Sequence, residues 1–138
     1  MAKMSQREIE TFLADPMVAH LVTVRPDGHA HVVPVWFEWK GRRAQVMTDR
    51  SSVKARNLGD TQMVALSIAK EQRPYQYVTV EGMARITTDN LAEVVRRICF
   101  CYDGPERGPA FAQELLADDH LVLIEISPTR VVSWKDDD

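Results

Sequence analysis

Residues 22–41, "VTVRPDGHAHVVPVWFEWKG", set two β-rich runs on either side of a Pro-Asp-Gly turn. Valine and aromatic side chains suit a pleated, half-buried surface, and Pro26 and Gly28 stand where a tight turn wants a fixed φ and a permissive one. The pattern predicts strands over Val18–Arg25 and His29–Trp39, with Lys40-Gly41 turning the chain into a third strand that ends at Thr48. Three such runs in succession predict an antiparallel meander. Pro34, inside the second run, removes a ladder donor and predicts an edge strand or a break in the ladder.

The rest of the chain extends this pattern. Upstream, Ser5 followed by Glu8 is a capping box, Ile9, Phe12 and Leu13 recur at helical spacing, and Pro16 ends the helix. Downstream, a short helical segment closing at Asn57–Asp60 precedes strands near Met63–Ala69 and Tyr75–Thr87. Gly82 inside the latter predicts a bulge or a close backbone approach. "NLAEVVRRICFCY" places Leu91, Val94, Val95, Ile98 and Tyr102 on one helical face, with Asp89 as its cap, and a second helical piece covers about Pro109–Ala117. "HLVLIEISP" and "RVVSWK" read as two closing strands joined at Pro128. Six or seven antiparallel strands with flanking helices predict a mainly β protein, a small closed β-barrel in a single domain spanning residues 1–138.

Composition excludes several classes. A chain of 138 residues with 45% apolar and 27% charged residues buries a core without a disulfide or metal staple. Its net charge of −3 offers no basic face for nucleic acid, and no apolar run reaches the length that spans a bilayer. The polar start "MAKMSQREIETFL" lacks a secretory signal's apolar centre. Cys99 and Cys101, two residues apart on a helix, point to different faces and read as free thiols in a reducing cytoplasm. The terminal "KDDD" reads as a short solvated tail.

No hydrolase elbow, Walker loop or dinucleotide-binding glycine pattern occurs, and the four histidines lack the spacing of a zinc site. Two stretches carry chemistry of another kind. "TDRSSVKARNL", Thr48–Leu58, gathers the hydroxyls of Thr48, Ser51 and Ser52 next to Lys54 at the end of a strand, the donor set of a phosphate seat. On residues alone, a solvated turn whose serines cap the following helix explains it slightly better. "VVPVWFEW", Val33–Trp39, interrupts its ladder at Pro34 beside an aromatic wall at Trp36; its aliphatics are also ordinary core residues.

Taken in order, "VTVRPDGHAHVVPVWFEWKG", "TDRSSVKARNL", "VALSI" and "YVTVEGMARI", roughly residues 9–88, resemble the pyridoxamine 5'-phosphate oxidase-like split β-barrel superfamily. The resemblance is nearer to its flavin/deazaflavin-dependent oxidoreductase B group, with a weaker echo in "ISPTRVVSW". It implies an FMN-binding-like split barrel forming a homodimer, with the cofactor in a groove at the subunit interface. It implies that Thr48, Ser52 and Lys54 hold the cofactor phosphate, that the backbone of Val33, Pro34, Val35 and Trp36 lies along the flavin ring, and that Val53 and Asn57 join the cofactor-binding set. Tyr77, and less strongly Trp134, correspond to residues that reach the neighbouring subunit's cofactor. Val33 and Glu38 stand where the oxidases proper carry an Arg and a Lys, so vitamin B6 oxidation is not expected.

The expected function is an oxidoreductase that transfers a hydride between FMN or the deazaflavin coenzyme F-420 and a small-molecule substrate in the cytoplasm. The protein positions the ring and supplies no dedicated catalytic acid or base. A non-catalytic carrier or sensor using the same groove is the alternative, and a purely structural dimerisation module is a third reading.

Overall fold

In the computed structural model, which describes residues 2–59 and 61–136, the chain runs α1 (Gln6–Leu13), β1 (Ala19–Val24), β2 (Ala30–Val35), β3 (Glu38–Lys40), β4 (Arg43–Asp49) and α2 (Val53–Leu58). It continues through β5 (Thr61–Ala69), β6 (Gln76–Thr87), α3 (Leu91–Leu116) and β7 (Leu121–Lys135). The strands form one seven-stranded antiparallel sheet in the order β2-β1-β5-β6-β7-β4-β3. This is the mainly β, split-barrel architecture that the sequence predicts.

The opening stretch behaves differently from the expected meander. β1 pairs with β2 and β3 with β4, but β2 and β3 stand at the two ends of the strand order, and no ladder joins them among the described residues. The barrel is therefore split, and the predicted second strand breaks at Trp36-Phe37. The cause is that two cores compete for neighbouring side chains. Val35 and Phe37 enter the barrel core, whereas Trp36 packs on a second cluster built on α3 and β7. Tyr102 of α3 holds the break open: its hydroxyl accepts the Phe37 N–H at 3.2 Å and donates to the Met17 carbonyl at 2.6 Å. Pro34 lies in an edge strand, where a missing amide donor is tolerated.

Tyr102→Phe leaves that amide and that carbonyl without partners, so a loss of about 1–3 kcal/mol in chemical denaturation is expected. Burial pushes the Tyr102 phenol up to about 12. Its folded-state value lies above the ordinary value of 10, so its contribution is complete below pH 10 and is lost as pH rises towards 12. The variant should lack this alkaline loss.

Other expectations shift in detail. The two closing strands are one strand, β7, with Pro128 inside it. The register slips there, Glu81 pairing with Arg130 and Gly82 with Pro128, so Thr129 bulges out; this is the bulge that Gly82 predicts. The two helical pieces run as one element, α3, bent where Gly104 takes φ 87°. Asn90 rather than Asp89 stands at its N-terminus, in the left-handed region and without a side-chain cap. α1 has its capping box, with Ser5 Oγ accepting from Glu8 N–H and Glu8 Oε1 from Ser5 N–H. Cys99 is buried and Cys101 exposed, as their spacing implies.

The terminal acidic run is tied down where it is described. Lys135 Nζ lies 2.6 Å from Glu8 Oε2, and Asp136 Oδ2 accepts the Tyr75 N–H at 2.8 Å. The last two aspartates, like Asp60 at the end of the α2 segment, lie outside the described residues. No helix among the described residues is long and apolar enough to cross a membrane.

Candidate functional site

The end of β4 and the start of α2 form a compact polar corner. Thr48, buried near the end of its strand, donates through Oγ1 to Ser52 Oγ at 2.9 Å, and the Ala55 N–H donates to the same oxygen at 3.2 Å. Ser52 thus caps α2 as an acceptor twice over, while its own O–H proton has no acceptor among the described residues. Ser51 is spent differently. Its N–H and Oγ both donate to Asp49 Oδ1, at 2.8 and 2.6 Å, which makes it a turn residue.

Lys54 follows on α2. It is half-buried, and burial pushes its ammonium below the ordinary lysine value. Among the described residues no carboxylate lies within ion-pair distance of it. A partly desolvated cation without a counter-charge is an arrangement that a bound anion stabilises.

This corner opens into a pocket of about 580 Å³. Pro34, Val35 and Trp36 line one wall, Thr48 and Lys54 another. Phe111 and Leu115, one turn apart on the second arm of α3, close a third side. Trp36 does not swing freely: it stacks on Tyr102 at 4.6 Å and meets the edge of Phe111 at 6.0 Å. The space therefore has an apolar, aromatic body and a cationic, hydroxyl-rich end.

The predicted site residues divide accordingly. Pro34, Val35, Trp36, Thr48 and Lys54 share the pocket, with Ser52 bonded to Thr48. Val33 packs against the barrel core. Val53 and Asn57, four residues apart and so on one face of α2, line a separate hollow with Arg25 and Arg56. Asn57 Nδ2 there donates to Thr23 Oγ1 at 3.0 Å. Tyr77 lies half-exposed on the sheet, stacked on Trp134 at 5.9 Å.

Sequence reasoning passes over Met47, Asp49, Phe111, Leu115 and His120, which also line the pocket. The apolar pair Phe111 and Leu115 at i, i+4 is a signal in the sequence, but nothing there says which face it covers. His120 reaches the pocket only because the β4–β7 ladder ends at Asp49 opposite Leu121.

A profile of the pyridoxamine 5'-phosphate oxidase family matches residues 5–135. The chain belongs to that family. Comparison with curated proteins by sequence gives no match. Among solved structures, a conserved hypothetical protein of Mycobacterium tuberculosis, Rv2991, is similar at 24% identity and TM-score 0.81, over 96% of this chain and 85% of that one. An F420 reductase is similar at 29% identity and TM-score 0.70, over 88% and 94%. General Stress Protein 26 of Bacillus anthracis is similar at 25% identity and TM-score 0.65, over 89% and 88%.

Glu38 takes both Nε and Nη2 of Arg97, at 2.8 and 3.0 Å, which clamps β3 to α3. Val33 serves the core.

Proposed function

We propose that the pocket seats a flavin-type cofactor, FMN or the deazaflavin coenzyme, and that the protein is an oxidoreductase passing a hydride between this cofactor and a small molecule. One observation carries the reading: a single pocket is lined by Pro34, Val35 and Trp36 together with Thr48 and Lys54. Lys54 and the hydroxyl proton of Ser52 fit a phosphate, one as a charge and one as a directional donor. The Pro34–Trp36 strand end and Phe111 fit the flat faces of a ring system. The likeness to an F420 reductase supports the same reading. Hydride chemistry belongs to the cofactor; the chain binds its phosphate, orients the ring and keeps water from one face. Oxidation of pyridoxamine phosphate does not fit, because Glu38 is paired with Arg97 and Val33 packs against the core.

The working unit we propose is a homodimer. On the outer face of the sheet Val22 pairs with Val32, Met63 with Met83 and Tyr77 with Trp134, and Val32, Met63, Met83 and Tyr77 are all exposed. Exposed apolar pairs on one sheet face, though Thr79 and Glu81 lie between the Met83 and Tyr77 rungs, support such an interface. A double Met63→Lys, Met83→Glu variant keeps the cross-strand pair compatible but places charge in that interface. Sedimentation should show wild type as a dimer and the variant as a monomer; a wild type that sediments as a monomer contradicts the assignment.

Turnover separates the enzyme from a carrier or sensor. Protein loaded with reduced FMN or reduced deazaflavin coenzyme is mixed with a panel of quinone, enone and nitroaromatic acceptors. Reoxidation faster than that of free cofactor supports the enzyme. Tight binding with no acceleration for any acceptor supports the carrier.

A further inference from the structure

The pocket also contains an imidazole to which the reading above gives no task. His120 sits in the turn between α3 and β7 and lines the pocket with Trp36 and Lys54. Its carbonyl accepts the Arg50 N–H at 2.8 Å, which anchors the turn to the end of β4. Its Nε2 stands 3.3 Å from Asp49 Oδ2. Asp49 is itself held in place by the two bonds from Ser51 to Oδ1, and those bonds keep its carboxyl below the ordinary range. A carboxylate that stays ionised therefore lies beside a ring that is 48% exposed and open to both pocket and solvent. The other charges nearby are Lys54 on the pocket wall and Arg50, whose guanidinium turns to Asp119 at 3.7 Å.

We propose that His120 is the proton-holding group of this pocket and that Asp49 is its positioning residue. The inference rests on the hydride-transfer reading and adds to it a group that can protonate an acceptor with a polarised double bond. A carbon that receives a hydride releases the π electron pair to the far atom of its double bond, and that atom must gain a proton. The proton comes from a ring nitrogen of protonated His120. The N–H bond breaks with its electron pair kept on the ring, an O–H or C–H bond forms on the substrate, and the ring regains a proton from water at its exposed side. The hydride carries both reducing electrons from the reduced flavin-type cofactor, so the protein itself is neither oxidised nor reduced.

Wild type, His120→Gln and Asp49→Asn are compared in three measurements: affinity for oxidised FMN and deazaflavin coenzyme, the His120 Cε1–H resonance with and without cofactor, and single-turnover reduction of a quinone from pH 5 to 9. The cofactor is expected to shift the resonance in wild type, and His120→Gln is expected to bind it as wild type does. Quinone reduction by wild type should slow as pH rises, whereas His120→Gln should be slower by roughly 100-fold at low pH and flat across the range. Asp49→Asn should be slower than wild type yet keep the pH dependence. An unmoved resonance, or a His120→Gln variant that binds cofactor and matches the wild-type rate and pH profile, overturns the role of His120 alone. A wild type that binds neither cofactor, or binds without turning over any acceptor, overturns the site reading and this inference with it.

Discussion

Gly82→Ala should destabilise the protein by about 3 kcal/mol, lowering the melting temperature by roughly 10 °C for a chain of this size. A Cβ built on Gly82 would collide with the Ser127 carbonyl oxygen and lie 2.9 Å from Pro128 Cα. These are main-chain atoms of the paired strand, so no side-chain rotation relieves the clash. Trimming Ser127 should not rescue the variant, because its carbonyl and not its hydroxyl is the obstacle. The strands would have to separate where the β6–β7 ladder shifts register, at the bulge that lets Thr129 stand out. Thermal denaturation of Gly82→Ala and of Gly82→Ala/Ser127→Ala checks this: a melting temperature like that of wild type would mean that the strands are not packed this closely.

The second large effect is expected at Lys54. Lys54→Ala should weaken binding of FMN or deazaflavin coenzyme by about 1.5–3 kcal/mol, roughly 10- to 150-fold in Kd, while the melting temperature stays near that of wild type. The side chain is half-buried without a carboxylate partner among the described residues, so the loss falls on the ligand and not on an internal ion pair. Burial pushes its ammonium below the ordinary lysine value, so anion binding should begin to fail at a lower pH than an exposed lysine would allow. That alkaline limb should vanish in Lys54→Ala. Ser51→Ala is the matched control, since Ser51 is committed to Asp49. Equal dissociation constants for wild type and Lys54→Ala would remove the phosphate from this corner.

Strand content was readable because it rests on local pattern. The Pro-Asp-Gly turn gives the β1–β2 hairpin, Ser5 and Glu8 give the start of α1, and Gly82 gives the bulge. The split was not readable. Val33–Phe37 is apolar throughout because Val35 and Phe37 face one core and Trp36 packs on another, so no polar alternation shows where the run breaks. The single β7 strand was hidden for a related reason: Pro128 reads as a terminator, but it sits at a bulge where its missing amide is harmless.

The candidate site divides along the same line. Thr48, Ser52 and Lys54 are close in sequence, and the fold keeps Thr48 bonded to Ser52 with Thr48 and Lys54 in one pocket, while Ser51 turns to Asp49. Val53 and Asn57 share the stretch but not the pocket, since helical spacing turns them to the other side of α2. Phe111, Leu115, Asp49 and His120 come from distant elements, and only the β4–β7 register and the bend at Gly104 bring them to Trp36.

The central claim is that this pocket holds a flavin-type cofactor by its phosphate and ring together. Equilibrium titration of the purified protein with FMN and with the deazaflavin coenzyme, followed by cofactor absorbance and tryptophan fluorescence, tests it most directly. The account predicts saturable binding of at least one of them at one cofactor per chain, with quenching that is lost in Trp36→Phe. Failure of both cofactors to bind, with the protein folded, would contradict it.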